Sequence, residues 1–258
     1  MIAILLCAGF ATRMYPLTKN FPKPLLKVGG KHAIDYLMDQ LIGFPQIESI
    51  HVVTNELFSS NFLEWQSRWK KLVKTHGIDL YLYNDGATSN ENRLGAVKDL
   101  AFVLSSLKST GPAIIAAGDN IFRFSLRTVA QEFIKSKKNI VIALKEIDYD
   151  KKTQKGILEI GSDNRVLKFY EKPIDAKSAW ACPPVYFLQP SALKLVSDYV
   201  ARPDAKDSPG NFIAYLANHE PVFAIRVNGK RIDIGSIESY EEANVILGKE
   251  PVILSQEV

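Results

Sequence analysis

Residues 2–6, IAILL, run without a break into CAGFATRMYPLTKNFPKPLL at 7–26. The five apolar residues show no alternation, which is how a strand buried on both faces reads. After Leu6 the chain is first small, then cationic, then rich in proline. The small residues Ala8, Gly9 and Ala11 let backbone N–H groups approach an anion closely. Arg13 and Lys23 add full charges suited to a polyphosphate. In isolation Gly9 reads equally as a turn, and Arg13 as a solvated side chain. Pro16, Pro22 and Pro24 weigh against that reading. They stiffen the segment around Lys23 and lower the cost of holding its charge in place. The stretch is neither GxGxxG nor GxxxxGK[ST], so those dinucleotide and ATPase signatures are absent.

Continuous apolar runs recur at 49–55 (SIHVVTN), 78–84 (IDLYLYN), 113–119 (AIIAAGD) and 139–144 (NIVIAL). Segments with helical spacing separate them. One face carries Ile34, Leu37, Met38 and Leu41, another Phe62, Trp65, Trp69 and Leu72, with further helices over 94–107 and 126–134. This alternation predicts an α/β fold: a Rossmann-like, mostly parallel sheet flanked by helices. After about residue 150 the pattern changes. KGILEIGSDNRVLKFYEKP (155–173) predicts a hairpin around Ser-Asp-Asn. Beyond it come a strand at 183–188, a helix at 190–200, a strand at 222–227 and a last helix over 235–247. Ser236 can cap that helix, with Ser239 in place of the usual capping-box acid. The expectation is one domain over 1–258, with a nucleotide-binding half at about 1–150. A small antiparallel acceptor-binding part occupies about 151–258.

Of the 258 residues, 47% are hydrophobic and 23% charged, which excludes disordered and fibrous classes. The net charge is +4, with the cations spread along the chain. Small anionic ligands fit this balance, and a dedicated nucleic-acid binder is not expected. Trp65 and Trp69, four apart, read as one buried helix face rather than a base-stacking platform. Two cysteines, Cys7 and Cys182, are too few for a disulfide framework or a zinc site, so a cytoplasmic setting is expected. The apolar opening stops at Thr12 and Arg13, short of the roughly 18 residues of a membrane helix. It also has no basic segment before it.

The acidic residues are less decisive alone. Asp119 ends the run AIIAAGD, where ligands of open α/β sheets sit, but a helix N-cap reads the same way. Asp233 lies between Ile232 and Ile234, so alternation turns it away from two apolar side chains. Glu171 and Lys172 close a strand and as strand neighbours would point to opposite faces. In the polar run YNDGATSNENRLGAV (83–97), Asn84, Asn92, Arg93 and Gly95 are candidates to contact a base, at even odds with an ordinary polar loop.

The segment LCAGFATRMYPLTKNFPKPLLKVGGK (6–31) resembles the signature of the sugar-1-phosphate nucleotidyltransferases, L-x-(G/A)-G-x-G-T-R-(L/M)-x-P-L-T-x-x-x-P-K-P-L. Ala11 stands where that family usually has Gly, a change expected to be tolerable. GDN at 118–120 resembles the family's G-D metal motif and DIGS at 233–236 its D-I-G-T motif. Arg231 replaces a frequent aromatic residue. EKP at 171–173 resembles the family motif in which Glu binds sugar hydroxyls and Lys grips the sugar phosphate. KGILE at 155–159 resembles Y-G-V-V-E, making Gly156 a candidate for close sugar approach. ACPPVYF (181–187) departs from the usual N-A-G-(I/V)-Y, and Tyr186 remains a candidate acceptor contact.

The resemblance covers residue 2 to about 245 and implies the nucleotide-diphospho-sugar transferase type of fold. It implies a Mg²⁺-dependent reaction, with Asp119 and Asp233 holding the ion. A nucleoside triphosphate and a sugar 1-phosphate would give a nucleotide sugar and pyrophosphate. Arg13, Lys23 and Lys172 would handle the phosphates. The Asn-Arg-Leu run at 92–94 leans toward CTP or another pyrimidine nucleotide, by likeness to the Gly-Arg-Leu of cytidylyltransferases. Two alternatives stay open. One is a cytidylyltransferase acting on phosphocholine or a similar phosphate, with Trp180 and Tyr186 as walls of an aromatic cage. The other is a non-catalytic regulatory subunit, which retention of Arg13, Lys23, Asp119 and Asp233 argues against. A homo-oligomer is compatible with all of these. The chain stops soon after its last helix, so the C-terminal left-handed β-helix of longer acyltransferase-fused relatives is not expected.

Overall fold

Ile2 and Ile4 face one side of strand β1 (Ile2–Leu6), while Ala3 and Leu5 face the other, and all four are buried. The strand therefore lies between two apolar layers, as its unbroken apolar sequence requires. This computed structural model describes residues 1–108 and 110–248. After β1 come β2 (Lys27–Val28), β3 (Lys31–His32), α1 (Ala33–Ile42), β4 (Ser49–Thr54), α2 (Ser59–Thr75) and β5 (Asp79–Asn84). Then follow α3 (Ala96–Ser105), β6 (Ala113–Ala117), β7 (Asn120–Phe122), α4 (Arg127–Ser136), β8 (Asn139–Lys145) and α5 (Tyr149–Lys152). The second half contains β9 (Gly156–Ile160), β10 (Val166–Glu171), β11 (Trp180–Cys182), β12 (Val185–Leu188), α6 (Pro190–Val200) and α7 (Pro209–His219). It ends with β13 (Val222–Val227), β14 (Arg231–Asp233) and α8 (Ile237–Gly248).

One large sheet runs β10-β9-β11-β8-β12-β6-β1-β4-β5, with β13 added along β8. The β6-β1-β4-β5 portion is parallel, as is β13 on β8. The other pairings are antiparallel. Helices α1, α2 and α4 cover one face, through residues such as Leu37, Trp65 and Phe133. Helices α3, α6 and α7 cover the other, through Leu100, Val196 and Phe212. This is the α/β class read from the sequence. None of the described helices is long and apolar enough to cross a membrane.

Two expectations need correction. Leu72 is 44% exposed, and Val73, four after Trp69, is the buried residue of that helical turn. A strict 3.6 period favours Val73 once Trp69 is fixed inward. Indole Nε1–H groups of Trp65 and Trp69 both donate to Asp35 Oδ1 at 2.8 Å, which fixes that rotation. Helix α7 is absent from the elements expected above, although its sequence carries a Ser-Pro helix start and helical spacing of its apolar residues. It starts in DSPG, where Ser208 precedes Pro209 at the first position, and it buries Phe212, Ile213 and Leu216.

The segment at 180–188 changes partners midway. Its first part, β11, lies between β9 and β8, and its second part, β12, lies between β8 and β6. Pro183 and Pro184 occupy the change. Neither has an N–H to give a ladder, and the Pro184 carbonyl accepts from Ala117 N at 3.0 Å. The unusual sequence ACPPVYF thus marks the fork between the parallel half and the antiparallel half.

Candidate active site

The loop after β1 is fastened from several sides. Cys7 N donates to Val53 O, and Gly118 N donates to Leu6 O. Asn55 Nδ2 donates to Ala8 O at 2.8 Å, while its Oδ1 accepts from Phe58 N. Asn55 is fully buried, and nothing in the sequence motifs singles it out. Its signal is a polar amide just past a strand, opposite a small-residue loop. A Cβ added at Gly9 would meet nothing within 4 Å, so the space beside this loop is open. Ala11 adopts φ 48°, ψ 42°, the left-handed region. That is why glycine suits this position. Thr18 Oγ1 donates to its carbonyl at 2.9 Å. Arg13 follows on a short 3-10 turn and is exposed.

Lys23 also sits in a 3-10 turn, between Pro22 and Pro24, and is only 9% exposed. Its Nζ donates to Asp119 Oδ2 at 2.6 Å. Asn120 Nδ2 donates to the other Asp119 oxygen at 2.6 Å. Burial pushes the Asp119 carboxyl up, but Lys23, with Arg231 behind it, holds it below the ordinary value.

Strands β7 and β14 pair antiparallel, with Asp233 opposite Asn120. This short ladder brings Asp233 next to the residue that follows Asp119, which no sequence pattern could do. Ile234 is fully buried and Asp233 exposed, the alternation expected. Arg231 and Asp233, two apart in a strand, share a face. Arg231 Nη1 donates to Asn120 Oδ1 and Nη2 to Asp233 Oδ2, each at 2.9 Å. A continuous chain therefore links Lys23, Asp119, Asn120, Arg231 and Asp233.

The residues of the second half lie across the fork. Strand β10 ends at Glu171, and Lys172 has φ 48°, so strand alternation does not extend to Lys172. Its backbone N–H reaches Lys155 O at 3.1 Å, and its side chain is exposed. Glu171 Oε1 accepts from Ser208 Oγ at 2.8 Å, and its other oxygen lies against Gly210. The missing Cβ of Gly156 faces the ring of Phe169, so this glycine makes room for an aromatic side chain of its own sheet. Tyr186 is 4% exposed within the core, and its hydroxyl is pushed well up by burial. Trp180 carries the Arg226 guanidinium over its ring at 5.1 Å. Trp180 and Tyr186 do not form an open cage.

In the loop before α3, Asn92 Oδ1 accepts from Thr88 N and Ser89 N, and its Nδ2 donates to Thr88 Oγ1. That amide closes its own loop. Asn84 is bonded to Glu56 and to Gly86 N, and it is exposed. Arg93 Nη1 donates to Asn90 O at 2.7 Å, and Nε lies 3.8 Å from Asp207. Asp207 also accepts from Ala96 N at the start of α3, against Gly95, whose φ is 99°. With Ser208 on Glu171, the 207–208 segment joins the loop before α3 to the acceptor side. Neither residue stands out in the sequence.

No group of three or more acidic, histidine or cysteine ligands forms among the described residues. The donors at hand are the Asp119 and Asp233 carboxylates. Hard oxygen donors in that number fit Mg²⁺, which takes one or two carboxylates and completes its shell with phosphates and water. Neither cysteine is placed to act as a nucleophile. Cys7 and Cys182 are buried, and burial pushes both thiols up.

The nucleotidyl transferase family model matches residues 2–250. Among solved structures, the chain is similar to one from Bacillus anthracis assigned as a glucose-1-phosphate thymidylyltransferase, in complex with sucrose. The TM-score is 0.82 at 19% identity, over 97% of each chain. It is also similar to UDP-glucose pyrophosphorylase complexed with UDP-glucose, with a TM-score of 0.77 at 20% identity, over 95% of this chain and 97% of that one. The apo form of UDP-glucose pyrophosphorylase gives 0.76 at 19%. At such identities the solved structures speak for the fold. The match along nearly the whole sequence carries the assignment: the chain belongs to the nucleotidyl transferase family.

Proposed function

We propose that this enzyme transfers a nucleotidyl group from a pyrimidine nucleoside triphosphate to a sugar 1-phosphate, releasing pyrophosphate. The observation that carries the reading is the hydrogen-bonded chain from Lys23 through Asp119, Asn120 and Arg231 to Asp233, which starts beside the loop after β1. A phosphate oxygen of the acceptor attacks the α-phosphorus, and the bond to the β-phosphate breaks. No protein nucleophile is needed, so positioning and charge neutralisation do the work. The N–H groups around Gly9 and the Arg13 guanidinium hold the triphosphate. Lys23 stabilises the charge that passes to the leaving pyrophosphate. Glu171 orients sugar hydroxyls, and Lys172 aligns the attacking phosphate against a like-charged target. Asp119 and Asp233 hold Mg²⁺, which when bound neutralises phosphate charge. The pyrimidine preference draws on the thymidine and uridine nucleotides named for the solved relatives. A sugar is preferred to phosphocholine because the Trp180 ring is already covered by Arg226.

Pyrophosphate release tests this. CTP, UTP, dTTP, GTP and ATP are offered in turn with Mg²⁺, against sugar 1-phosphates and phosphocholine separately. Release with a pyrimidine nucleotide and one sugar 1-phosphate supports the reading. Release with phosphocholine alone transfers it to the other acceptor, and no release from folded protein with any pair removes it.

A further inference from the structure

Each carboxylate of the candidate metal site already has a cation from its own chain. Asp119 is held by Lys23 at 2.6 Å, with Asn120 on its second oxygen. Asp233 is held by Arg231 at 2.9 Å, and Arg231 spans to Asn120 Oδ1 at 2.9 Å. The Arg231 side chain is 14% exposed, whereas that of Asp233 is 48% exposed. The guanidinium is therefore the sheltered member, wedged between the two strands. The carboxylate faces the opening.

A divalent cation entering alone would meet two resident positive charges, one bonded to each carboxylate. A polyphosphate entering with it changes the balance. Guanidinium binds phosphate oxygens in the same forked geometry as carboxylate oxygens. The arginine can thus exchange one anion for the other without losing charge-assisted hydrogen bonds.

We propose that Arg231 is a transferable counter-ion, which pairs with Asp233 when no polyphosphate is bound and passes to the polyphosphate on binding, leaving Asp233 to the divalent cation. This rests on the reading of Asp119 and Asp233 as the metal carboxylates. It makes metal and polyphosphate binding mutually dependent through one positioning residue. An aromatic residue at this place could not act in this way.

The test is direct binding of Mn²⁺ by equilibrium dialysis, with and without inorganic pyrophosphate, the metal held by pyrophosphate alone being measured in the protein-free compartment and subtracted. The native chain is expected to bind Mn²⁺ about tenfold or more tightly when pyrophosphate is present. Arg231→Met is expected to bind Mn²⁺ alone about tenfold more tightly than the native chain, with the pyrophosphate effect reduced. Arg231→Gln, which keeps a donor for Asn120 but no charge, should behave like Arg231→Met and guards against a packing defect. Melting curves establish that each variant is folded. Unchanged Mn²⁺ affinity in both folded variants overturns the proposal. If Asp233→Asn binds Mn²⁺ as the native chain does, with and without pyrophosphate, the carboxylate reading itself fails and the proposal falls with it. Loss of Mn²⁺ affinity in Asp233→Asn combined with no change in either Arg231 variant isolates the failure to Arg231.

Discussion

Asp233 lies opposite Asn120 across the ladder between β7 and β14, and Arg231 and Asn120 link its carboxylate to that of Asp119. The side chain is 48% exposed and contributes little to the core. Asp233→Asn is therefore expected to leave the melting temperature within about 2 °C of the native value. On the proposed two-carboxylate metal site, turnover should fall about 1000-fold or more, because a charged group is replaced by a neutral one. Pyrophosphate release and thermal melting on the same preparation check both halves. Native activity in the folded variant would defeat the two-carboxylate reading.

Lys23 and Asp119 are 11% and 27% exposed, so removing one leaves the other's charge largely desolvated. Lys23→Met should cost about 2 kcal/mol of stability at neutral pH, and adding Asp119→Asn should recover part of it. Because Asp119 is held below its ordinary value, its contribution is present above the unfolded carboxylate range. It is lost as pH falls through the still lower folded value. The native chain should therefore lose stability on the acid side. Lys23→Met should lose less there, having forfeited that contribution already. Chemical denaturation at pH 7 and near pH 3 measures the difference.

Gly118 precedes Asp119, and a Cβ built on it would collide with Cys7 Sγ. Gly118→Ala should destabilise by about 1–3 kcal/mol through overpacking. Its next neighbours, Ile34 and Pro24, stand at ordinary contact distances of 3.6 and 3.7 Å, so the cysteine is the obstacle. In a Cys7→Ala background the same substitution should cost markedly less. A double-mutant cycle of unfolding free energies reads this coupling, and simple additivity would count against it.

The legible parts of the site share a cause. Lys23 and Arg13 sit close in sequence to the strand that positions them, and β1 announces itself by apolar residues on both faces. Asp119 follows a strand of the same kind. The link between Asp119 and Asp233 is not legible, because β7 and β14 have three residues each, too few for a period to register. Arg231 reads as an unexplained substitution until the ladder places it on the same face as Asp233. The reverse failure occurs before α3. Asn92 has the chemistry of a base reader, but its amide is spent closing its own loop. Side-chain chemistry is visible in a sequence, and prior commitment of its hydrogen bonds is not.

Asp99, in the first turn of α3, is 4% exposed, and its Oδ1 has no hydrogen-bond partner. The buried Asp85 Oδ2 is likewise without one while both groups are ionised, and a proton on Asp99 can be donated to Asp85. Burial, then the neighbouring Asp85 charge, pushes the Asp99 carboxyl up to about 8. Asp85 is also raised, by burial first, while the Ala87 N–H opposes the shift. Asp207, near the start of the same helix, adds further negative charge. A carboxyl raised in the folded state binds its proton more tightly there than in the unfolded chain. Its contribution is complete below the unfolded value near pH 4 and is lost as pH rises through about 8. The native melting temperature should therefore fall progressively between about pH 5 and pH 8, by several degrees if about 2 kcal/mol is involved. Asp99→Asn keeps the shape and neutrality of the protonated acid, so its melting temperature should be nearly flat over that range. A variant that declines as steeply as the native chain would show that the loss arises elsewhere. Should the amide lower stability at pH 5 as well, the geometry of the shared proton, rather than neutrality alone, holds Asp85 and Asp99 together.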